Sequence, residues 1–259
     1  MLFNNGAGYS AINTARSALS SFLFVKGIGI GKLPSVCRFM KGVFNLRPAL
    51  PRNQVTWDVD VVLNYLRKLS PVRNLALKEL THKLVTLFAL LSAQRGQTLS
   101  LLDIRNMTVS CDCAKFRLGE KVKQTKPGVH QAEICLKAYP PDRRLCPVTV
   151  LEEYILRTAP LREGNRLLIS ITKPHKGVSL DTIRRWIKVV LGTAGIDLSI
   201  FTPHSTRSAA TSAAKAANIP LATILQTAGW SNDSTFRKYY DKPPDNSGKM
   251  SEILLKAHT

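Results

Sequence analysis

Three short stretches near the end of this chain carry side chains that could act together on a phosphate. Thr202-Pro203-His204-Ser205-Thr206-Arg207 sets an imidazole and a guanidinium three residues apart, a spacing that puts both on one face of a helical turn. Gly229-Trp230 and then Tyr239-Tyr240 follow. A guanidinium can clamp a phosphate while an imidazole moves a proton. A phenol on a separate downstream helix can then be the nucleophile.

The rest of the chain suggests which phosphate. Its 259 residues hold 37 Lys and Arg against 17 Asp and Glu, a formal net charge of +20, with a pI near 10.1. At 44% hydrophobic content the chain can build a packed core, so the charge does not mark a disordered tail. A strong positive field draws polyanions, nucleic acid first and an anionic membrane surface second. No apolar run approaches the ~18 residues of a membrane-spanning helix, so a membrane role is not expected. The phosphate in view is a DNA backbone.

The first acidic residue is Asp58. Before it stand Arg16, Lys26, Lys32, Arg38, Lys41, Arg47 and Arg52. Such a start could imitate a mitochondrial transit peptide, but its helical pattern favours a basic module facing DNA. The five cysteines are irregularly spaced, and Cys111-x-Cys113 lacks the usual zinc-pair spacing. They read as reduced intracellular thiols rather than a metal site.

Several elements must position these groups. Ile12, Ala15, Leu19 and Phe22 recur at helical spacing, with Ser10 as N-cap. A glycine-bearing loop (Gly27, Gly29, Gly31) follows; it lacks a P-loop ending and reads as a plain turn. Pro34 opens a second helix. A third spans about 58–69 with Val59, Val62, Leu63 and Leu66 inward. Residues 1–70 thus read as one basic helical module. Leu77, Leu80, Leu84, Leu87, Phe88 and Leu91 mark a strongly apolar helix, followed by a short one around Leu99. The span 107–136 reads as a small antiparallel sheet, with a turn at Lys126-Pro127-Gly128. Helices resume at 147–158, at 180–194 behind Ser179, at 206–217, at 220–227 and from Ser234. Gly229 suits a helix stop, and a last short helix is expected at 252–256.

Taken in order, these motifs resemble the tyrosine recombinase (phage integrase) family, and within it the recombinases of DIRS-like retroelements. Lys41-Gly-Val-Phe-Asn-Leu-Arg-Pro48, Trp57-Asp-Val-Asp-Val-Val-Leu-Asn-Tyr-Leu66 and Gly229-Trp-Ser-Asn-Asp-Ser-Thr-Phe236 carry that likeness. The resemblance implies a mainly α fold with a small antiparallel β-sheet. Its catalytic core would span 77–245, preceded by a helical core-binding (SAM-like) module that is short at its start, and followed by a tail at 246–259. It places the family's first arginine on Arg95 and its hairpin lysine on Lys126. His204, Arg207 and Trp230 fall on the remaining conserved-chemistry positions. The nucleophile is Tyr239 or Tyr240: the common family spacing gives Tyr239, while DIRS-like members often read Phe-Tyr here, which favours Tyr240. The reading leans to Tyr240. One departure is Thr98, where the family often carries an acid three positions after the first Arg.

In the implied reaction Arg95 and Arg207 neutralise the non-bridging oxygens. His204 serves as acid and base, Lys126 protonates the leaving 5′ oxygen, and Trp230 packs beside the phosphate. Tyrosine, with an ordinary pKa of about 10, attacks to leave a 3′-phosphotyrosine. No cofactor or metal is implied. The partners would be double-stranded DNA and further copies of the chain, four in a synapse, exchanging C-terminal segments. The setting would be intracellular, nuclear in a eukaryote, and the work mobile-element integration. The rival expectations are a decayed or domesticated recombinase that only binds DNA and a type IB topoisomerase-like relaxing enzyme.

Overall fold

The computed structural model describes residues 1–48, 54–122, 125, 133–230 and 232–243. Contacts divide the chain into two units, Met1–Asn53 and Gln54–Thr259.

In the smaller unit, helices α1 (Tyr9–Ser20) and α2 (Pro34–Leu46) bury Ile12 against Met40 and Val43. Pro34 opens α2 as expected, because its missing N–H costs nothing at the first helical position. Helix α1 is preceded by Gly8 with no side-chain cap, so Ser10 lies inside the helix rather than capping it. Leu19 and Phe22, expected to face inward, are exposed. With only two long helices the unit has too little interior to cover them. The expected glycine loop is a short hairpin, β1 (Phe24–Val25) with β2 (Ile28–Gly29).

The boundary at 53 differs from the module end expected near 70. Helix α3 (Val59–Lys68), capped by the Asp58 carboxylate, buries Val62 and Leu66 in the core of the larger unit. Trp57 joins that core. The buried Lys83 ammonium donates to the Leu69 carbonyl just past the end of α3, at 2.5 Å. Burial pushes its pKa down to about 8. A basic sequence pattern carried the expectation; apolar burial decided the partition.

Helix α4 (Leu77–Ser92) is the axis of the larger unit. It is buried on almost every side, including Thr81, His82, Lys83 and Thr86 beside its leucines. Against it pack α6 (Pro147–Thr158), α7 (Leu180–Thr193) and α8 (Ser205–Ala216). The expected sheet is three antiparallel strands in chain order, β3 (Met107–Val109), β4 (Cys113–Phe116) and β5 (Ile134–Lys137), with Ala114 opposite Leu136. Residues Ala114, Phe116, Ile134 and Leu136 alternate inward onto the core. The mainly helical fold with a small antiparallel sheet is the one expected. Helices α5 (Gly96–Ser100), α9 (Leu221–Ala228) and α10 (Asp233–Tyr239) complete the described part. The expected helix at 252–256 lies outside the described residues.

Candidate active site

Arg95 sits at a sharp exit from α4. Ala93 adopts a left-handed φ of 48°. The Ser92 hydroxyl, itself donating to the Phe88 carbonyl at 2.6 Å, accepts from the Gln94 amide at 3.2 Å. The chain turns, and Arg95 becomes the N-cap of α5. Helix α5 lies close on α7: a Cβ on Gly96 would come 2.7 Å from a Leu180 methyl. A side chain at 96 would require that flexible Leu180 methyl to turn aside.

His204 caps α8, and Arg207 follows inside its first turn. The Arg207 side chain is buried. Its Nη2 donates to the Ala228 carbonyl at the end of α9, at 2.6 Å. Its guanidinium stacks on Trp230, 4.3 Å from the ring centroid, and lies 5.4 Å from that of Tyr240. Burial, then the charge of Arg95, pulls its pKa below the ordinary arginine value, with the Tyr240 phenol opposing. An arginine starts so high that it stays a cation at neutral pH.

The two tyrosines part company. Tyr239, the last residue of α10, is exposed at 56%. Tyr240 turns back: its hydroxyl hydrogen-bonds His204 Nε2 at 3.2 Å, and its ring packs at a tilt of 43° against Trp230, centroids 4.6 Å apart. Its carbonyl accepts from the hydroxyls of Ser208 (3.1 Å) and Ser212 (2.7 Å), one α8 turn apart. Sequence reasoning did not single out these two serines. The signal was available, since both follow His204 at i+4 and i+8, on one face of α8. A small cluster of Ala93, Ile224, Ala228, Trp230 and Phe236 underlies this arrangement.

Three groups are poised for an anion. Arg95 Nη1, Arg207 Nε and Nη1, and Trp230 Nε1 are buried and have no hydrogen-bond partner among the described residues. Buried donors left unpaired are costly, so a convergent set of them marks a place for an acceptor. A cavity of about 280 Å³ opens beside Arg95, Arg207 and His204, with Gln94, Gln97 and Arg184 on its walls. Burial, then Arg207, Arg95, Arg184 and Lys242, holds the His204 imidazole below its ordinary pKa, although the residue keeps solvent access. Thr98 is buried at the position where the resemblance led one to look for an acid. Arg95, His204, Arg207, Trp230 and Tyr240 are thus gathered in one place, and Tyr239 is turned away from it. Lys126 lies outside the described residues.

Two arginines, a histidine, a tryptophan and a tyrosine thus stand together on a helical core beside a small sheet. Residues 64–245 match the sequence model of the Phage integrase family. The chain belongs to that family, the tyrosine recombinases. Solved structures with similar folds include XerH site-specific recombinase bound to difH substrate (TM-score 0.61, 13% identity, 92% of this chain and 64% of that one). The Tn1549 transposon integrase in complex with transposon right end DNA is similar too (0.61, 11%, 98% and 82%). So is a lambda integrase tetramer bound to a Holliday junction (0.51, 14%, 93% and 61%). At these identities the likeness is one of fold, and the chain spans less than two-thirds of the XerH and lambda chains. A comparison with curated proteins gave no match.

Proposed function

We propose that this protein is a DNA strand transferase that cuts and rejoins duplex DNA through a 3′-phosphotyrosine on Tyr240. One observation carries the reading: the Tyr240 hydroxyl stands 3.2 Å from His204 Nε2, beside buried guanidinium and indole N–H groups that lack partners. A neutral imidazole with Nε2 unprotonated accepts the phenol proton as the oxygen attacks phosphorus. Arg95 and Arg207 bind the two non-bridging oxygens and offset the charge that develops on them. Trp230 supplies a third donor and keeps Tyr240 and Arg207 in register through its ring. The phosphorus–5′ oxygen bond breaks, and the leaving oxygen takes a proton; the resemblance assigns that proton to Lys126. Attack by another 5′ hydroxyl reverses the step, with the phenol as leaving group.

The basic smaller unit serves as a DNA clamp through phosphate contacts, and copies of the chain assemble on paired sites. Family membership and the fold shared with a transposon integrase support mobile-element integration as the setting. The DIRS-like motifs point to a retroelement and, in a eukaryotic host, to the nucleus. A second reading, DNA binding without cleavage, is favoured by Thr98, which leaves Arg95 without a neighbouring carboxylate at that position.

A nicked suicide substrate tests the reading. Wild type should trap a covalent adduct whose peptide maps to Tyr240; Tyr240→Phe should trap none, and Tyr239→Phe should trap nearly as much as wild type. Binding without any adduct from wild type supports the second reading instead. An adduct that maps to Tyr239 overturns the assignment of the nucleophile.

A further inference from the structure

The stretch where the chain enters the larger unit is tied to both sides of the active site. Trp57 is buried at 4% exposure, and its indole N–H donates to the Ser205 hydroxyl at 2.8 Å. That hydroxyl donates in turn to the Thr202 carbonyl at 2.6 Å. The two bonds pin both ends of the turn Thr202-Pro203-His204-Ser205, with His204 held between them. One residue earlier, the Thr56 amide donates to the Pro243 carbonyl at 2.9 Å, three residues past Tyr240. The adjacent Lys242 amide donates to the Ser212 hydroxyl at 3.1 Å, and that same hydroxyl holds the Tyr240 carbonyl. Residues 56 and 57 therefore fix the backbone on the His204 side and on the Tyr240 side together.

An indole is a needless choice for packing alone. Its buried N–H requires a partner, and the partner found is the residue next to His204. We propose that Trp57 is a positioning residue of the active site: through Ser205 it sets the His204 turn against Tyr240, and the Thr56–Pro243 bond holds the nucleophile's segment in the same register. The inference rests on the strand-transferase reading for its catalytic consequence. Its structural content stands without that reading.

Trp57→Phe keeps the ring and removes the N–H. Adduct formation at saturating DNA should slow by about fivefold to tenfold, the factor that follows loss of one neutral hydrogen bond, while DNA affinity stays the same. Placed on Ser205→Ala, the same change should add little, because the bond is already gone; independent damage would multiply. In the free protein, the His204 ring signals and titration midpoint, followed by NMR, should move in Trp57→Phe while those of His175 do not. Unchanged rates and unchanged His204 signals in Trp57→Phe overturn the proposal, as does a full second loss in the Ser205→Ala background. If wild type forms no adduct, the strand-transferase reading fails, and the NMR comparison still decides whether Trp57 positions His204.

Discussion

His204 and Arg207 stand three residues apart, yet burial asks opposite things of them. Arg207 is interior and must stay charged, which it does because its ordinary pKa is so high. His204 is near the surface and must be neutral to act as a base, and the surrounding cations favour that form. Its folded pKa lies below the ordinary 6.5, through partial burial first and then Arg207, Arg95, Arg184 and Lys242. Above pH 6.5 both the folded and the unfolded chain carry a neutral ring. As pH falls below 6.5 the unfolded chain takes the proton first, so the native state loses this contribution until pH has passed the folded value. In the proposed reaction the same neutral form accepts the Tyr240 proton. The second-order rate of adduct formation, which reports the free enzyme, should therefore fall on the acid side with a midpoint below 6.5. A midpoint above 6.5, or a His204 NMR titration there, contradicts the assignment.

At the scale of elements, the turn after α9 decides whether Trp230 arrives at the site. Gly229 has a φ of 67°. Its amide donates to the Gln226 carbonyl at 3.1 Å, and the Trp230 amide to that of Leu225 at 2.8 Å, a helix stop built on a left-handed residue. Trp230 leaves this turn onto Arg207 and Tyr240. Gly229→Ala forces a side chain into that conformation, which should cost about 1–2 kcal/mol in urea unfolding and slow adduct formation as well. A variant as stable as wild type would show that the turn tolerates another geometry. The α4 exit works likewise at Ala93, where a non-glycine residue in the left-handed region aims Arg95.

For the molecule as a whole, the proposed hold on DNA rests on charge. The smaller unit carries seven Lys or Arg and no Asp or Glu, within a chain of net charge +20. Phosphate contacts release counterions, so affinity should fall steeply with salt. Between 50 and 200 mM salt a loss on the order of 10³ in binding constant is expected for about six contacts, readable by fluorescence anisotropy on a duplex. A loss under tenfold would mean that the basic surface is not the binding face. Removing residues 1–53 should flatten the slope, since their cations supply part of the contacts.

Sequence alone determined most of the elements and pointed to the proposed chemistry. His204, Arg207 and the tyrosine pair were legible as candidates from residue type and spacing, and Arg95 and Trp230 through the family resemblance. The helices at 147–158 and 180–194 were legible because amphipathic spacing and caps such as Ser179 are local signals. Between the adjacent tyrosines the sequence only leaned to Tyr240, because which of them meets His204 and Trp230 depends on how the chain turns at the end of α10. Not legible were the pairing of the two serines with the Tyr240 carbonyl, the Trp57–Ser205 tie, or the assignment of α3 to the larger unit. These arise from pairings across some 28 to 148 residues and from apolar burial against α4. Side-chain type and local spacing are written in the chain; which distant groups meet is fixed only when the core packs.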